Sequence, residues 1–84
     1  MKHAGAETLR ALDKLLVGIR KCELNEIKPG IFYQKRTAFL HFHEDPAGLF
    51  ADVKMLSAYR RYPVNSRAQQ HALLKVIKEQ LKQT

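Results

Sequence analysis

Apolar residues between positions 6 and 22 recur at steps of three and four, which is the spacing of one face of an α-helix. The apolar set is Leu9, Leu12, Leu15, Leu16, Ile19 and Cys22. Charged residues such as Arg10, Asp13 and Lys14 fill the positions between them. The pattern predicts a first helix over residues 6–22, with the thiol of Cys22 buried and unreactive on its apolar side.

A second helical pattern closes the chain. Ser66 precedes it and Gln69 follows three positions later, which is the capping box that begins many helices. An apolar stripe at helical spacing follows, made of Ala72, Leu73, Val76, Ile77 and Leu81. We therefore predict a second helix that begins after Ser66 and packs one side against the rest of the domain.

The middle of the chain alternates apolar and polar residues around a turn. Residues 45–48 read Asp-Pro-Ala-Gly, which matches a type I turn. If Glu44 faces Leu49 across this turn, a regular hairpin follows. Its further apolar pairs are Phe42 with Ala51, Leu40 with Val53, and Ala38 with Met55. A shift of one residue would mix the apolar and polar sets, so we predict this register and an apolar face that receives both helices.

Two further strands flank the predicted hairpin. Residues 31–34 are predicted to form a strand that turns at Lys35 and Arg36, with Ile31 and Tyr33 on the apolar face beside Leu40 and Ala38. Residues 59–64 are predicted to form a short fourth strand, which Pro63 would confine to an edge of the sheet. Residues 23–30 are polar, end in Pro-Gly and are predicted to be a connector.

These elements predict one small domain over residues 1–84. Its fold class is α+β with two layers, in which an antiparallel three- to four-stranded β-meander is flanked by an N-terminal and a C-terminal helix.

The other face of the predicted sheet combines aromatic and ionisable side chains, because side chains alternate along a strand. We call it the predicted binding face; its residues are Phe32, Phe39, His41, His43, Phe50, Asp52 and Lys54. In the predicted register His41 lies opposite Asp52, so the carboxylate is expected to make this imidazole more basic. Both helices are needed on the apolar face, so nothing in the chain is left to cover this one.

Self-association through the predicted binding face is the first functional hypothesis. Two copies that stack their sheets would hide three phenylalanines, as contiguous apolar patches often do at interfaces. We therefore expect a non-enzymatic binding or assembly module that forms a homodimer. The alternative without a binding role is an ordinary sheet face, partly polar and exposed to solvent.

Two other hypotheses use the same face. Single-stranded nucleic acid could stack on its aromatic rings while basic side chains neutralise phosphates. Alternatively, His41 and His43 with Asp52 could hold a metal ion or act as an acid and base. His3 falls in the N-terminal tail and His71 in the second helix, so neither is expected to complete such a site. The sequence contains no catalytic motif and no phosphate-binding glycine loop, and we expect no cofactor.

Composition adds a bias in the choice of partner. Fifteen lysines and arginines against eight acidic residues give the 84-residue chain a formal charge of +7, which favours anionic partners. The chain shows neither a signal peptide nor an apolar run long enough to span a membrane. Its single cysteine rules out an internal disulfide and fits a reducing compartment. We expect a cytoplasmic protein without a membrane partner.

The central stretch, with its core FLHFHEDPAGLFADV, resembles a family of small uncharacterised bacterial proteins that share such a core and a closing helix. The resemblance covers about two thirds of the chain. It implies a small bacterial α+β protein and carries no activity or functional residue to this sequence.

Overall fold

The chain folds as an antiparallel sheet with its helices packed on one side. The structure, a computed structural model, describes residues 2–82. The elements in chain order are β1 (Lys2–His3), α1 (Ala6–Ala11), α2 (Asp13–Arg20), β2 (Asn25–Lys28), β3 (Ile31–Gln34), β4 (Thr37–Asp45), β5 (Gly48–Lys54), β6 (Tyr59–Pro63) and α3 (Arg67–Lys82). The strand order is β2-β3-β4-β5-β6, and β1 pairs with β4. The α+β class is confirmed, with more strands than the three or four predicted.

Both predicted helices form. The first is interrupted at Leu12, whose backbone leaves helical geometry at φ −100° and ψ 14° and divides the segment into α1 and α2. The capping box of α3 is present as predicted. The Gln69 N–H donates to Ser66 Oγ over 3.1 Å, and the Ser66 N–H donates to Gln69 Oε1 over 3.2 Å.

The predicted register of the β4–β5 hairpin is confirmed between the turn and the pair of Leu40 with Val53, but the predicted pair of Ala38 with Met55 does not form, because β5 ends at Lys54. Phe42 pairs with Ala51, Leu40 with Val53, and Glu44 with Leu49. In the turn, the Ala47 N–H donates to Asp45 Oδ1 over 2.9 Å, which stabilises the loop. Leu40, Phe42, Ala51 and Val53 are each at most 1 % exposed. Alternation and turn chemistry together therefore place this hairpin correctly.

The predicted placement of Phe32 and Phe39 on the binding face was wrong. Tyr33 pairs with Ala38, but the next pair is Phe32 with Leu40, so Phe39 is an extra residue in β4. A β-bulge of this kind brings two successive side chains to the same side of a sheet. Phe39 is consequently 4 % exposed and Phe32 1 % exposed, both in the core. The same shift pairs Ile31 with His41 instead of Leu40.

The sheet edges add strands that the sequence patterns did not predict. The fourth strand is present as β6, with Pro63 at the edge as expected. The predicted connector contains β2, which a bidentate ion pair joins to α2: Arg20 donates to both oxygens of Glu26 over 2.7 and 3.0 Å. At the N-terminus, β1 pairs with the end of β4 through His3 and His43.

One hydrophobic core lies between the helices and the sheet. Its buried residues come from α1, α2, α3 and the facing side of the strands. The opposite side of the central hairpin carries His41, His43, Phe50, Asp52 and Lys54, all partly exposed; we call these five residues the open face. No helix in the described part of the chain is long and apolar enough to cross a membrane.

Candidate metal centre

Four neighbouring strands bring ionisable side chains together on the open face. His41 and His43 lie two positions apart on β4 and therefore point to the same side. Asp52 on β5 pairs with His41, and Arg61 on β6 pairs with Asp52. His3 on β1 pairs with His43. The regular register of the sheet thus assembles a cluster that is scattered over sixty residues of sequence.

Three of these residues converge closely. One ligand atom each from His41, His43 and Asp52 lie within 4.8 Å of one another. His43 Nε2 and Asp52 Oδ2 lie 3.0 Å apart. The sequence placed Asp52 opposite His41, which is the correct backbone pair, but the carboxylate reaches the diagonal histidine. The right-handed twist of a sheet brings one such diagonal neighbour closer.

Arg61 holds the carboxylate of Asp52 in place. Its Nε donates to Oδ1 over 2.8 Å and its Nη2 donates to Oδ2 over 3.0 Å. These hydrogen bonds lower the pKa of Asp52 below its ordinary value, although partial burial acts in the opposite direction. Asp52 is therefore a fixed carboxylate at neutral pH. Arg61 was not predicted as a member of this site, although extending the register to the fourth strand would place it opposite Asp52.

A third histidine completes the cluster, contrary to its predicted place in a tail. The rings of His3 and His43 stack with centroids 5.1 Å apart and planes inclined by 25°. The His41 ring lies edge-on to both, 5.7 Å from His43 and 6.2 Å from His3. The ring of Tyr59 also packs against His41, with centroids 4.9 Å apart. The short strand β1 is the reason for this placement, and no periodic signal marks a strand of two residues.

The pKa of His41 lies below the ordinary value for histidine. Burial is the main cause, and the neighbouring His43 and His3 act in the same direction, while Asp52 acts against them. Asp52 acts to raise this pKa, as expected, but the removal of solvent from the imidazole outweighs the attraction of one carboxylate, so the net shift is downward. His41 is neutral at neutral pH, which is the form that binds metal ions.

The imidazole of His43 is the most constrained group of the site. Neither ring nitrogen is accessible to solvent, and neither makes a hydrogen bond within the described residues. The 3.0 Å contact with Asp52 is an ion-pair distance without the alignment of a hydrogen bond. An unsatisfied buried polar group costs about 1–3 kcal/mol. A ligand that used one of these nitrogens would remove that cost.

The remaining residues of the predicted binding face divide into two groups. Phe50 pairs with His43 on one side and with Pro63 on the other, at the rim of the cluster. The ammonium of Lys54 lies 5.8 Å from the centre of the Tyr59 ring. Phe32 and Phe39 are part of the core and take no part in the site. The open face is therefore less apolar than the sequence predicted.

No protein-family model, curated protein or solved structure matches the chain. The resemblance of the central stretch to a family of small bacterial proteins gains no support from these comparisons. The chemistry of the residues in the cluster is therefore the basis for a function.

Proposed function

We propose that this protein is a small metal-binding domain that holds a divalent transition-metal ion on its open face. The ligands are His41, His43 and Asp52. The observation that carries the proposal is the convergence of their three ligand atoms within 4.8 Å. Two imidazoles and one carboxylate form a donor set that suits zinc and other first-row metals.

The distances fit a site that closes by small side-chain rotations. A tetrahedral zinc ion with bonds of about 2.0–2.1 Å places its ligand atoms roughly 3.3 Å apart. Side chains within 4.8 Å of each other approach this spacing without movement of the sheet. Because β4 and β5 are central strands of the sheet, their backbone provides a rigid support.

The protonation states also favour metal binding. His41 is held neutral by burial, and Asp52 is held ionised by Arg61. Arg61 occupies both carboxylate oxygens, but each oxygen has a second lone pair that can serve a metal ion. Hydrogen bonds from a neighbouring side chain to a ligating carboxylate are usual in metal sites and orient the ligand.

His3 lies close enough to affect this site without being one of its three ligands. Its ring covers His43 and is itself exposed, so it can move aside when an ion enters. Three protein ligands leave a coordination position for water or for a further ligand. The proposal assigns metal binding to the open face and derives no catalytic step from it.

The proposal is tested by titrating tag-free, chelator-treated protein with Co²⁺ and Zn²⁺. We expect saturation at one ion per chain, Co²⁺ absorption bands typical of tetrahedral coordination, and displacement of Co²⁺ by Zn²⁺. His41→Ala should weaken binding at least as much as the roughly 10–100-fold that loss of an orienting partner costs. His71→Ala is the matched control, because His71 is exposed on α3 and outside the cluster. No saturable binding, or equal loss in both variants, would overturn the proposal.

Self-association through the open face stays a second proposal, supported by fewer apolar residues than the sequence indicated. Of the three phenylalanines that supported it, only Phe50 is available, since Phe32 and Phe39 are buried. Exposed Tyr59 adds apolar area beside His41. For single-stranded nucleic acid, the same two buried rings are not available to stack on bases. In addition, the Arg61 guanidinium already donates to Asp52. Metal binding is therefore the function that the geometry of this face supports best.

A further inference from the structure

A basic groove lies on another part of the surface from the histidine cluster. It has a volume of about 570 Å³ and opens between the ends of α2 and α3 and the turn that joins β3 to β4. Lys21, Lys35, Lys78 and Lys82 line it, with Glu23 as the one acidic residue in its wall. We call this feature the lysine groove.

The ammonium groups of the four lysines have no recorded partner among the described residues. Among residues 2–82, the ion pairs and side-chain hydrogen bonds that the structure records include none of these ammonium groups. Like charges gathered around one concavity repel each other and raise the local attraction for anions. An anion bound in the groove would relieve that repulsion.

The helix ends explain only part of this arrangement. Lys21 caps α2 and Lys82 lies in the last turn of α3, where positive charge offsets the negative end of a helix dipole. Lys35 has no such reason for its position, since it belongs to the two-residue turn between β3 and β4. Helix dipoles therefore account for the charges of Lys21 and Lys82 but not for the charge at this turn.

Lys35 is also in an unfavourable backbone conformation. Its φ of 57° makes it the one described non-glycine residue with a positive φ. Tight hairpin turns prefer glycine or asparagine at such positions, because a longer side chain crowds the backbone there. A lysine at a strained position on the rim of a basic groove is consistent with a role for its charge.

We propose that the lysine groove binds a polyphosphate chain. Its volume lies within the range of about 300–1,000 Å³ that is usual for small-molecule sites. Lysine ammonium groups bind phosphates as compact point charges. Four ammonium groups around one groove match a ligand with several adjacent negative charges better than a single phosphate. The shared chemistry is the phosphate chain, which a nucleoside polyphosphate or inorganic polyphosphate can supply.

The first test measures binding of ATP and of inorganic tripolyphosphate by calorimetry, with chelator present so that the histidine cluster stays free of metal. The double variant Lys78→Ala/Lys82→Ala should lose at least about tenfold in affinity, and affinity should fall with added salt. Lys28→Ala/Lys75→Ala is the matched control, with the same change in net charge at two exposed lysines outside the groove. Equal affinity for the two ligands identifies the phosphate chain alone as the determinant, and tighter binding of ATP identifies a nucleotide.

The second test uses Lys35→Asn, which separates folding from binding. Asparagine tolerates a positive φ, so we expect the melting temperature to stay the same or to rise by about 2–5 °C. The affinity for tripolyphosphate should fall by about threefold, because one ammonium group is lost. A variant that is both more stable and weaker in binding cannot be explained by damage to the fold.

Three results would overturn the proposal. The first is no saturable binding of either phosphate ligand at low salt. The second is an equal loss of affinity in the groove variant and its matched control, which would indicate only the overall charge of the protein. The third is a single-stranded oligonucleotide that binds more tightly than both small ligands and is insensitive to the groove variant, since it would identify a different, extended surface.

Discussion

The two faces of the β4–β5 hairpin are held by different forces. On the inner face Leu40, Phe42, Ala51 and Val53 are excluded from water and pack against the helices. On the open face, side chains of the same two strands are partly exposed and contact each other through the pair of His43 with Asp52 and the edge-on rings of His41 and His43. Along one strand, the residues on the inner face therefore stabilise the fold, while the residues that alternate with them form the polar cluster.

This difference has a physical origin in how each kind of contact depends on geometry. Apolar burial is non-directional, and its loss scales with the area and volume removed. Contacts among imidazole, carboxylate and guanidinium groups depend on distance, direction and protonation state. A substitution on the inner face should therefore act on folding, whereas one on the open face should act on binding or titration.

The largest expected effect is on the inner face. Phe42→Ala should destabilise the protein by about 3–5 kcal/mol, because it empties a core position in a small domain. Phe39→Ala should destabilise the protein by a similar amount, since the bulge buries this ring. Phe50→Ala on the open face should cost about 1 kcal/mol or less. Urea unfolding measures all three, and a loss for Phe50→Ala as large as that for Phe42→Ala would contradict the division between the faces.

The next effect is stabilisation by metal. An ion that binds only the folded state at 100 times its Kd adds about 2.7 kcal/mol. For a domain of this size that corresponds to an increase in Tm of more than about 10 °C. Zn²⁺ should stabilise the wild type and His71→Ala alike, and should leave His41→Ala nearly unchanged. Thermal unfolding monitored by circular dichroism measures the Tm of each protein with and without Zn²⁺. An equal increase in Tm for all three proteins would place the ion elsewhere.

A smaller effect concerns self-association through the open face. If two copies meet there, Phe50→Glu should weaken the dimer by at least about tenfold, because it places a charge in an apolar contact. Sedimentation velocity at tens of micromolar protein, with chelator present, makes the comparison. A monomeric wild type would exclude the dimer under these conditions, and a dimer that Phe50→Glu leaves intact would assign the interface to another surface.

The smallest effect is on titration in metal-free protein. The pKa of His41 is lowered chiefly by burial, while Asp52 raises it. Asp52→Asn should therefore lower this pKa further. Because the folded-state pKa is below the unfolded one, the neutral imidazole favours the folded state above the unfolded pKa. This contribution is lost as pH falls and the unfolded state takes up the proton more readily. An NMR titration of His41 that does not change in the variant would show that the carboxylate has no influence on it.

Much of the fold was predictable because local signals agreed with one another. The turn at 45–48 and the alternation on both sides of it identify the register of β4 and β5, and Ser66 with Gln69 identifies the start of α3. The bulge at Phe39 was not predictable, because both arrangements put large apolar residues on the inner face. The edge strands β1 and β2 were missed because they are short and mostly polar, so neither has a distinctive pattern.

The candidate site was predictable in its members but not in its contacts. The sequence placed His41, His43 and Asp52 on one side of the hairpin, because side chains alternate along each strand. It did not indicate that Asp52 contacts the diagonal histidine, since that depends on the twist of the sheet. It also gave no sign of His3, which depends on the pairing of β1 with β4.

The sequence by itself thus determined which residues share a face of the central hairpin, through local turn chemistry and a periodicity of two. Only the tertiary structure decided which other residues join these faces and which residues surround the groove. It buried Phe32 and Phe39 through one extra residue in β4, brought His3 and Arg61 to the histidine cluster, and gathered four lysines around one groove. These outcomes depend on strand pairings and helix ends that lie far apart in the chain, where local preference has no influence.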